Sequence, residues 1–420
     1  MPIEGGFVLK EASYMIVIPM SQKDIEDPMI FVENVKQSEN VHIRNIHMDD
    51  ERGMIVDFAV DDRQYEVEVN PTDVDIPNLV RPEHIFTEEE FRIIDEAKFG
   101  LSVCMDFEGD NAKCFHDQLR IIDAMYPEKV AVLDCPAEKL LSGRWVSLAA
   151  KSHILPAPRY LFTVQAICDE SGEVWLHTHG LKRCGLYELE ILCSTKDTCN
   201  DHYKMIETFA CRMLESDEPI EPGEGIFIGQ AADIYLVCTA VDWKEALTFY
   251  PQAVLGTKED RQDEVHSEDT YVLMLYKNEE DEDMMIYTPV QAFDPFLHQN
   301  PMYMLSTEET ERMSSLAIER IPYMVKAAEN KENTIIVKVG LITDKQYWEE
   351  EDTPQKEHIW FELKEIKEDG FVGELTQEPY YVSGIKEGDV GFYSFSSITD
   401  WMIFTKERRI TPDDAYLLEE

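Results

Sequence analysis

The sequence predicts an α+β protein of several domains, with mostly antiparallel sheets, packed helices and a small C-terminal domain built from a helix and a bent, barrel-like sheet. Three observations carry that prediction. At 420 residues the chain exceeds what one typical hydrophobic core serves. Its hydrophobic content of 44%, with 10% aromatics, is that of a globular chain rather than a disordered one. Short apolar runs, several of period two, are interleaved with segments of helical period, which suits helices packed on antiparallel sheets.

Residues 1–80 read as a small α+β lobe. Residues 14–18 form a compact apolar run suited to a buried strand. Residues 24–35 read as a short helix with Pro28 in its first turn, the place where a helix tolerates proline. Residues 54–60 and 64–69 flank a polar loop, and the second run alternates cleanly, as a hairpin with one wet face would. The proline-bearing stretch 71–84 then leads out of the lobe.

Residues 81–240 read as an α+β domain. Thr87 and Glu90 have capping-box spacing, so the Thr87 hydroxyl accepts from the Glu90 amide and the Glu90 carboxylate from the Thr87 amide. Phe91, Ile94 and Ala97 continue that helix. A strand at 101–107, a helix at 112–125 and a strand at 130–134 come next. Strands at 160–168, 173–178 and 187–192 lead to a helix at 199–214 and a strand at 232–241. Residues 241–305 read as a β-rich extension, with strands at 271–276 and 284–289 around an acidic loop. No repeat of fixed period occurs.

Residues 306–420 form the last domain. A helix at 313–328 precedes a strand at 334–341. Ile359, Phe361 and Leu363 alternate with Trp360, Glu362 and Lys364, giving a strand with one buried face. Asp369-Gly370 makes a tight turn because the glycine accepts positive φ without steric cost, and residues 371–375 return as the partner strand. A second turn at 384–389 precedes strands at 390–395 and 398–404. The order and spacing of His358-Ile-Trp-Phe-Glu-Leu, Gly373-Glu-Leu, Gly388-Asp-Val and Ile398-Thr-Asp-Trp401 resemble the YegJ-like family of small bacterial domains. That resemblance implies a module without an established biochemical role and brings no catalytic residues with it. The long acidic region before the tail looks like the partner segment of a bacterial family that carries such a tail.

Charge bounds the function. The chain holds 85 acidic and 38 basic residues, a formal net charge of −47. Such a field repels phosphate backbones and anionic membranes and attracts basic partners or cations. We therefore expect no nucleic acid and no membrane among the partners, and a basic protein instead; the bland alternative is charge that serves solubility alone. The 9 cysteines lie between Cys104 and Cys238, are odd in number and include no CxxC pair. They read as buried thiols in a reducing compartment. The apolar run 14–20 is too short to span a membrane and lacks signal-peptide flanks, so the expected localisation is cytoplasmic.

The densest polar constellation is His177 and His179, followed by Glu188 and Glu190. Residues two apart on a strand share a face, so paired segments in the right register would set the imidazoles against the carboxylates. Such a set suits zinc or a ferrous ion, and a metal-bound water would support hydrolysis. A histidine pair in a half-wet hairpin needs no metal, and no cofactor is predicted. Weaker candidates are Cys114 beside His116, Cys184 beside Lys182 and Arg183, whose charges would depress a thiol pKa, and the acidic run 279–283 as a loose calcium loop. In the tail, Trp360, Asp400 and Trp401 form either the rim of a binding surface or ordinary core and edge packing. Two functions follow: a non-enzymatic, immunity-like protein that captures a basic partner, which we prefer, and a metal-dependent hydrolase centred on His177 and His179.

Overall fold

The computed structural model describes residues 10–27, 29–78, 80–261, 269–298, 301–348 and 354–418. Two compact units result, Met1–Ala150 with Pro156–Ser306, and Lys151–Leu155 with Thr307–Glu420. The fold is α+β with mostly antiparallel sheets, one of them curled into a half-barrel.

The first unit holds two sheets. Strands β1 (Ser13–Pro19), β2 (Val41–Asp49), β3 (Gly53–Val60), β4 (Arg63–Asp73), β5 (Arg81–Pro82), β6 (Phe99–Met105), β7 (Lys129–Asp134) and β8 (Lys139–Ser142) run in the order β2-β3-β4-β6-β1-β7-β8-β5. The first strand is interior: β1 pairs antiparallel with β6 on one side and β7 on the other, and Met15, Val17 and Ile18 are fully buried. A domain boundary at residue 80 is therefore corrected, because the run at 14–18 finds its partners about as far away as residue 134. The capping box at Thr87 forms with both bonds, Glu90 N to Thr87 Oγ1 at 3.2 Å and Thr87 N to Glu90 Oε2 at 2.6 Å. The helix expected at 24–35 is two pieces, Lys23–Glu26 and Ile30–Val35; Pro28 lies outside the described residues.

The second sheet comprises β9 (Thr163–Cys168), β10 (Glu173–His179), β11 (Glu188–Thr195), β12 (Ile226–Ala231), β13 (Ile234–Asp242), β14 (Thr270–Tyr276), β15 (Thr288–Pro289) and β16 (Met302–Tyr303). Its order is β16-β12-β13-β14-β11-β10-β9, with β15 beside β14. Since β14 pairs with Val237–Asp242 of β13, and β15 and β16 join the same sheet, the strands described after residue 242 are part of this sheet and not of a separate extension, which corrects the split at 240. The run 284–289 is strand only at Thr288–Pro289.

One face of this sheet carries the helix Cys199–Glu215, whose Met205, Ile206, Phe209 and Met213 pack on Leu176, Leu189, Ile191, Leu236 and Leu275. On the opposite face, Trp175, Leu192, Val272 and Met274 are covered by Trp243, Ala246 and Val254 from the segment after β13. The two sheets are tied by a buried ion pair. Arg183 meets Asp134 through Nη1–Oδ1 at 2.7 Å and Nη2–Oδ2 at 2.9 Å, both side chains have 0% exposure, and the guanidinium lies over the Phe107 and Phe115 rings. A bidentate pair with a further bond to the Leu161 carbonyl is the geometry that offsets the desolvation of both charges.

The second unit is a single antiparallel sheet with helices packed on one face. Strands β17 (Thr334–Ile342), β18 (Lys356–Ile366), β19 (Gly370–Leu375), β20 (Val390–Ser394), β21 (Ile398–Phe404) and β22 (Arg409–Ile410) run in the order β20-β19-β18-β17-β21-β22. The helix expected at 313–328 is two helices, Thr307–Glu319 and Ile321–Ala327. Pro322 sits in the first turn of the second, where its missing N–H breaks no bond. Leu316, Ala317 and Met324 are buried with Val337, Ile359, Phe361, Trp401 and Ile403.

Candidate functional site

The hairpin β10–β11 brings two of the four proposed metal ligands into register. His177 stands directly opposite Glu190, and His179 follows on the same face with its ring 4.8 Å from that of His177. Both histidines are buried. The carboxylates, however, have other work. Glu190 is held by Arg261, with Nη1–Oε1 and Nη2–Oε2 both at 2.5 Å, and it also accepts from Trp175 Nε1 at 3.2 Å. The Arg261 guanidinium lies between two indoles, 5.1 Å from the Trp175 ring centre and 4.3 Å from that of Trp243. Its remaining donors reach the Gly256 carbonyl and Thr270 Oγ1. Stacking and a bidentate bond together make this arginine the keystone of the covered face.

Glu188 is engaged by Thr178 and by the loop after β10. It accepts from Thr178 Oγ1 at 2.6 Å and from the amides of Gly180 at 2.9 Å and Lys182 at 3.3 Å. Burial raises its carboxyl pKa above the usual range, and those hydrogen bonds oppose the rise. Gly180 has φ +110°, a left-handed conformation that favours glycine, and lets the chain fold back under the carboxylate. Among the described residues no group of three or more His, Cys, Asp or Glu side chains is placed to hold a metal ion.

The weaker candidates separate in space. Burial pushes the Cys184 thiol up to about 12, outweighing Arg183 and Lys10, so the expected depression is corrected. Cys114 and His116 diverge, the thiol towards Arg63 at 3.2 Å and the imidazole Nε2 towards the Ala149 carbonyl at 2.9 Å. Among the described residues no disulfide joins the 9 cysteines. The acidic run is a one-turn helix, Glu279–Asp283, capped by Asn278.

In the second unit, Trp401 is removed from the proposed rim. It has 0% exposure and donates Nε1–H to the Ala317 carbonyl at 3.0 Å, because its place on β21 points it beneath the helix. Its neighbour Asp400 faces the other way, in register with Lys338, which in turn stands opposite Trp360 and 5.5 Å from its ring centre. Trp360 and Asp400 thus share the face opposite the helices across three strands. Burial raises the Asp400 carboxyl pKa.

A further feature has no counterpart in the sequence reading. At the β12 end of the second sheet, the face opposite the helix is only partly covered: Tyr276 is buried, while Phe227 and Tyr235 are exposed. Phe227, Val237 and Tyr276 stand in one cross-strand row, and Tyr235 lies two residues along from Val237. Phe227 is 39% exposed and Tyr235 65%. Their side chains floor a cleft of about 560 Å³ that is rimmed by Asp233, Glu279 and Glu282, with Lys277 the one base on its wall. Beyond the acidic helix, Met284, Met285 and Ile286 are exposed, and Met285 holds a left-handed φ of 53°. The only sequence signal was the pairing of an acidic run with an apolar one at 279–286.

Three family models match the chain. Residues 13–156 match the model described as protein of unknown function (DUF4026) N-terminal, and residues 164–274 match its C-terminal counterpart. Residues 309–412 match the model described as uncharacterized protein conserved in bacteria (DUF2314). No curated protein and no solved structure matches. The first match spans the whole first sheet, the second ends within β14, and the third covers the helices and sheet of the second unit. Along the chain the matches thus run from the DUF4026 N-terminal and C-terminal models to the DUF2314 model, each over less than half of its length.

Proposed function

We propose that the protein is a non-enzymatic, cytoplasmic binding protein that captures a basic protein partner, as immunity proteins capture cationic toxins. Its tail is then a YegJ-like module joined to the acidic region. The observation that carries this reading is the uncompensated charge: with a net −47, most carboxylates have no base to pair with. Much of the basic complement is already committed inside the chain, Arg183 to Asp134, Arg261 to Glu190, Arg52 to Glu66 and Glu68, Arg92 to Glu89. The result is a net negative field, which speeds the approach of a cationic partner and makes association sensitive to salt. Among the described residues no helix is long and apolar enough to cross a membrane.

The alternative, a metal-dependent hydrolase at His177, His179, Glu188 and Glu190, rests on His177 standing opposite Glu190; the hold of Arg261 on that carboxylate weighs against it. Affinity capture from the host lysate at low and then moderate salt tests the preferred reading. A basic protein enriched at low salt and released by more salt is the expected result. A tight partner indifferent to salt, or no partner, would count against it.

A further inference from the structure

We propose that the acid-rimmed cleft at the β12 end of the second sheet is the docking site for a short cationic, amphipathic segment of the partner protein. The proposal rests on the capture reading and gives it a place. The sheet shows what its outer face looks like when covered: at one end Trp175, Leu192, Val272 and Met274 lie under Trp243 and Val254 and are buried. The same alternation continues to the other end, where Phe227 and Tyr235 meet edge to face with ring centres 5.7 Å apart and remain in solvent. An apolar row of this kind, in a cleft of about 560 Å³, falls within the roughly 300–1,000 Å³ of ordinary binding clefts and takes a few side chains, as the anchor of a larger interface does.

Charge complementarity selects the occupant. Asp233, Glu279 and Glu282 rim the cleft against the one base, Lys277, and among the described residues no Lys, Arg or His pairs with any of the three. An apolar floor alone would accept any apolar side chain. A rim of unpaired carboxylates admits one flanked by lysine or arginine and rejects one flanked by glutamate. Met284, Met285 and Ile286, exposed just beyond the acidic helix, extend the apolar surface, and methionine adapts readily to varied partners.

The test uses the full chain and three fluorescein-labelled peptides of equal length, composed of lysine with leucine, lysine with glycine, and glutamate with leucine. Anisotropy titrations should rank lysine–leucine tightest, with affinity falling as salt rises, and glutamate–leucine weakest. Phe227→Ser with Tyr235→Ser should weaken lysine–leucine by roughly tenfold or more while leaving lysine–glycine little changed. Glu279→Lys with Glu282→Lys should weaken both lysine peptides and flatten the salt dependence. Binding of lysine–leucine that neither variant alters would overturn the cleft assignment and leave electrostatic capture standing. No binding of any lysine peptide would overturn both. Should a variant fold poorly by circular dichroism, amide exchange on the wild-type chain decides instead. Protection on peptide addition is expected in residues 227–237 and 276–286, and protection elsewhere alone would refute the site.

Discussion

The two ends of the second sheet differ in what covers them. Both present large side chains on the face opposite the helix Cys199–Glu215. At the β10–β11 end, Arg261 fills the space between Trp175 and Trp243 and neutralises Glu190, so a face that includes a carboxylate and two histidines becomes interior. At the β12–β13 end nothing among the described residues plays that part, and Phe227 and Tyr235 stay in water beside carboxylates without partners. The lesson is that polar residues on a strand indicate a site only where their bonding capacity is unspent. Histidines and glutamates drew attention in the sequence, yet the glutamates there are committed, while a plainer apolar row is left open.

The largest expected effect breaks the covered end. Arg261→Ala leaves Glu190 buried without its counter-charge and should cost about 3–5 kcal/mol in chemical denaturation. Phe227→Ser and Tyr235→Ser should each stay within about 1 kcal/mol of the wild type. Equal losses at the two ends would show that the open row is in fact core. The second unit offers the same contrast between its faces. Trp401→Ala should destabilise that unit by about 3–5 kcal/mol, and Trp360→Ala, which loses half-buried packing and a contact with Lys338, by about 1 kcal/mol or less.

A third effect is read through pH. Burial holds the His84 imidazole well below its ordinary range, with Lys139 and Arg159 adding to the shift, and its ring stacks on Trp145 at 4.4 Å. The unfolded chain takes up a proton near pH 6.5 whereas the folded chain does not. Stability is therefore complete above that pH and is lost as pH falls below it, by at most about 1.4 kcal/mol per pH unit for one group. His84→Gln should have a shallower stability profile between neutral and mildly acidic pH, and an unchanged slope would show that the histidine does not contribute. The smallest effect concerns metal. Chelator treatment should leave the melting temperature unchanged, while a fall that zinc restores, abolished by His177→Ala with His179→Ala, would revive the hydrolase.

Local patterns were legible in the sequence and long-range ones were not. The capping box at Thr87, the alternation at 64–69 and the curled C-terminal sheet follow from near-neighbour chemistry, and they formed as expected. The lobe boundary at 80 was misplaced because β1 is completed by β6 and β7, pairings that no local window contains. The helix at 313–328 divided at Arg320, since Pro322 starts a helix more readily than it continues one. For the candidate site, the register of His177 with Glu190 followed from hairpin geometry, but the capture of Glu190 by an arginine 71 residues away did not. Its one trace was a lone arginine in the acidic stretch 259–264. Exposure of the 284–286 run was equally hidden, because three apolar residues in sequence read as strand whether or not anything covers them.

Hydroxyl-radical footprinting of the full chain, alone and with a captured basic partner, tests the central claim most directly because it reports side chains individually. The account predicts rapid modification of Phe227, Tyr235, Met284 and Met285 in the protein alone and slow modification of Trp175 and Trp243, with the first group protected in the complex. Labelling of Trp175 and Trp243 as fast as the open row, or a complex that leaves that row reactive, would contradict it.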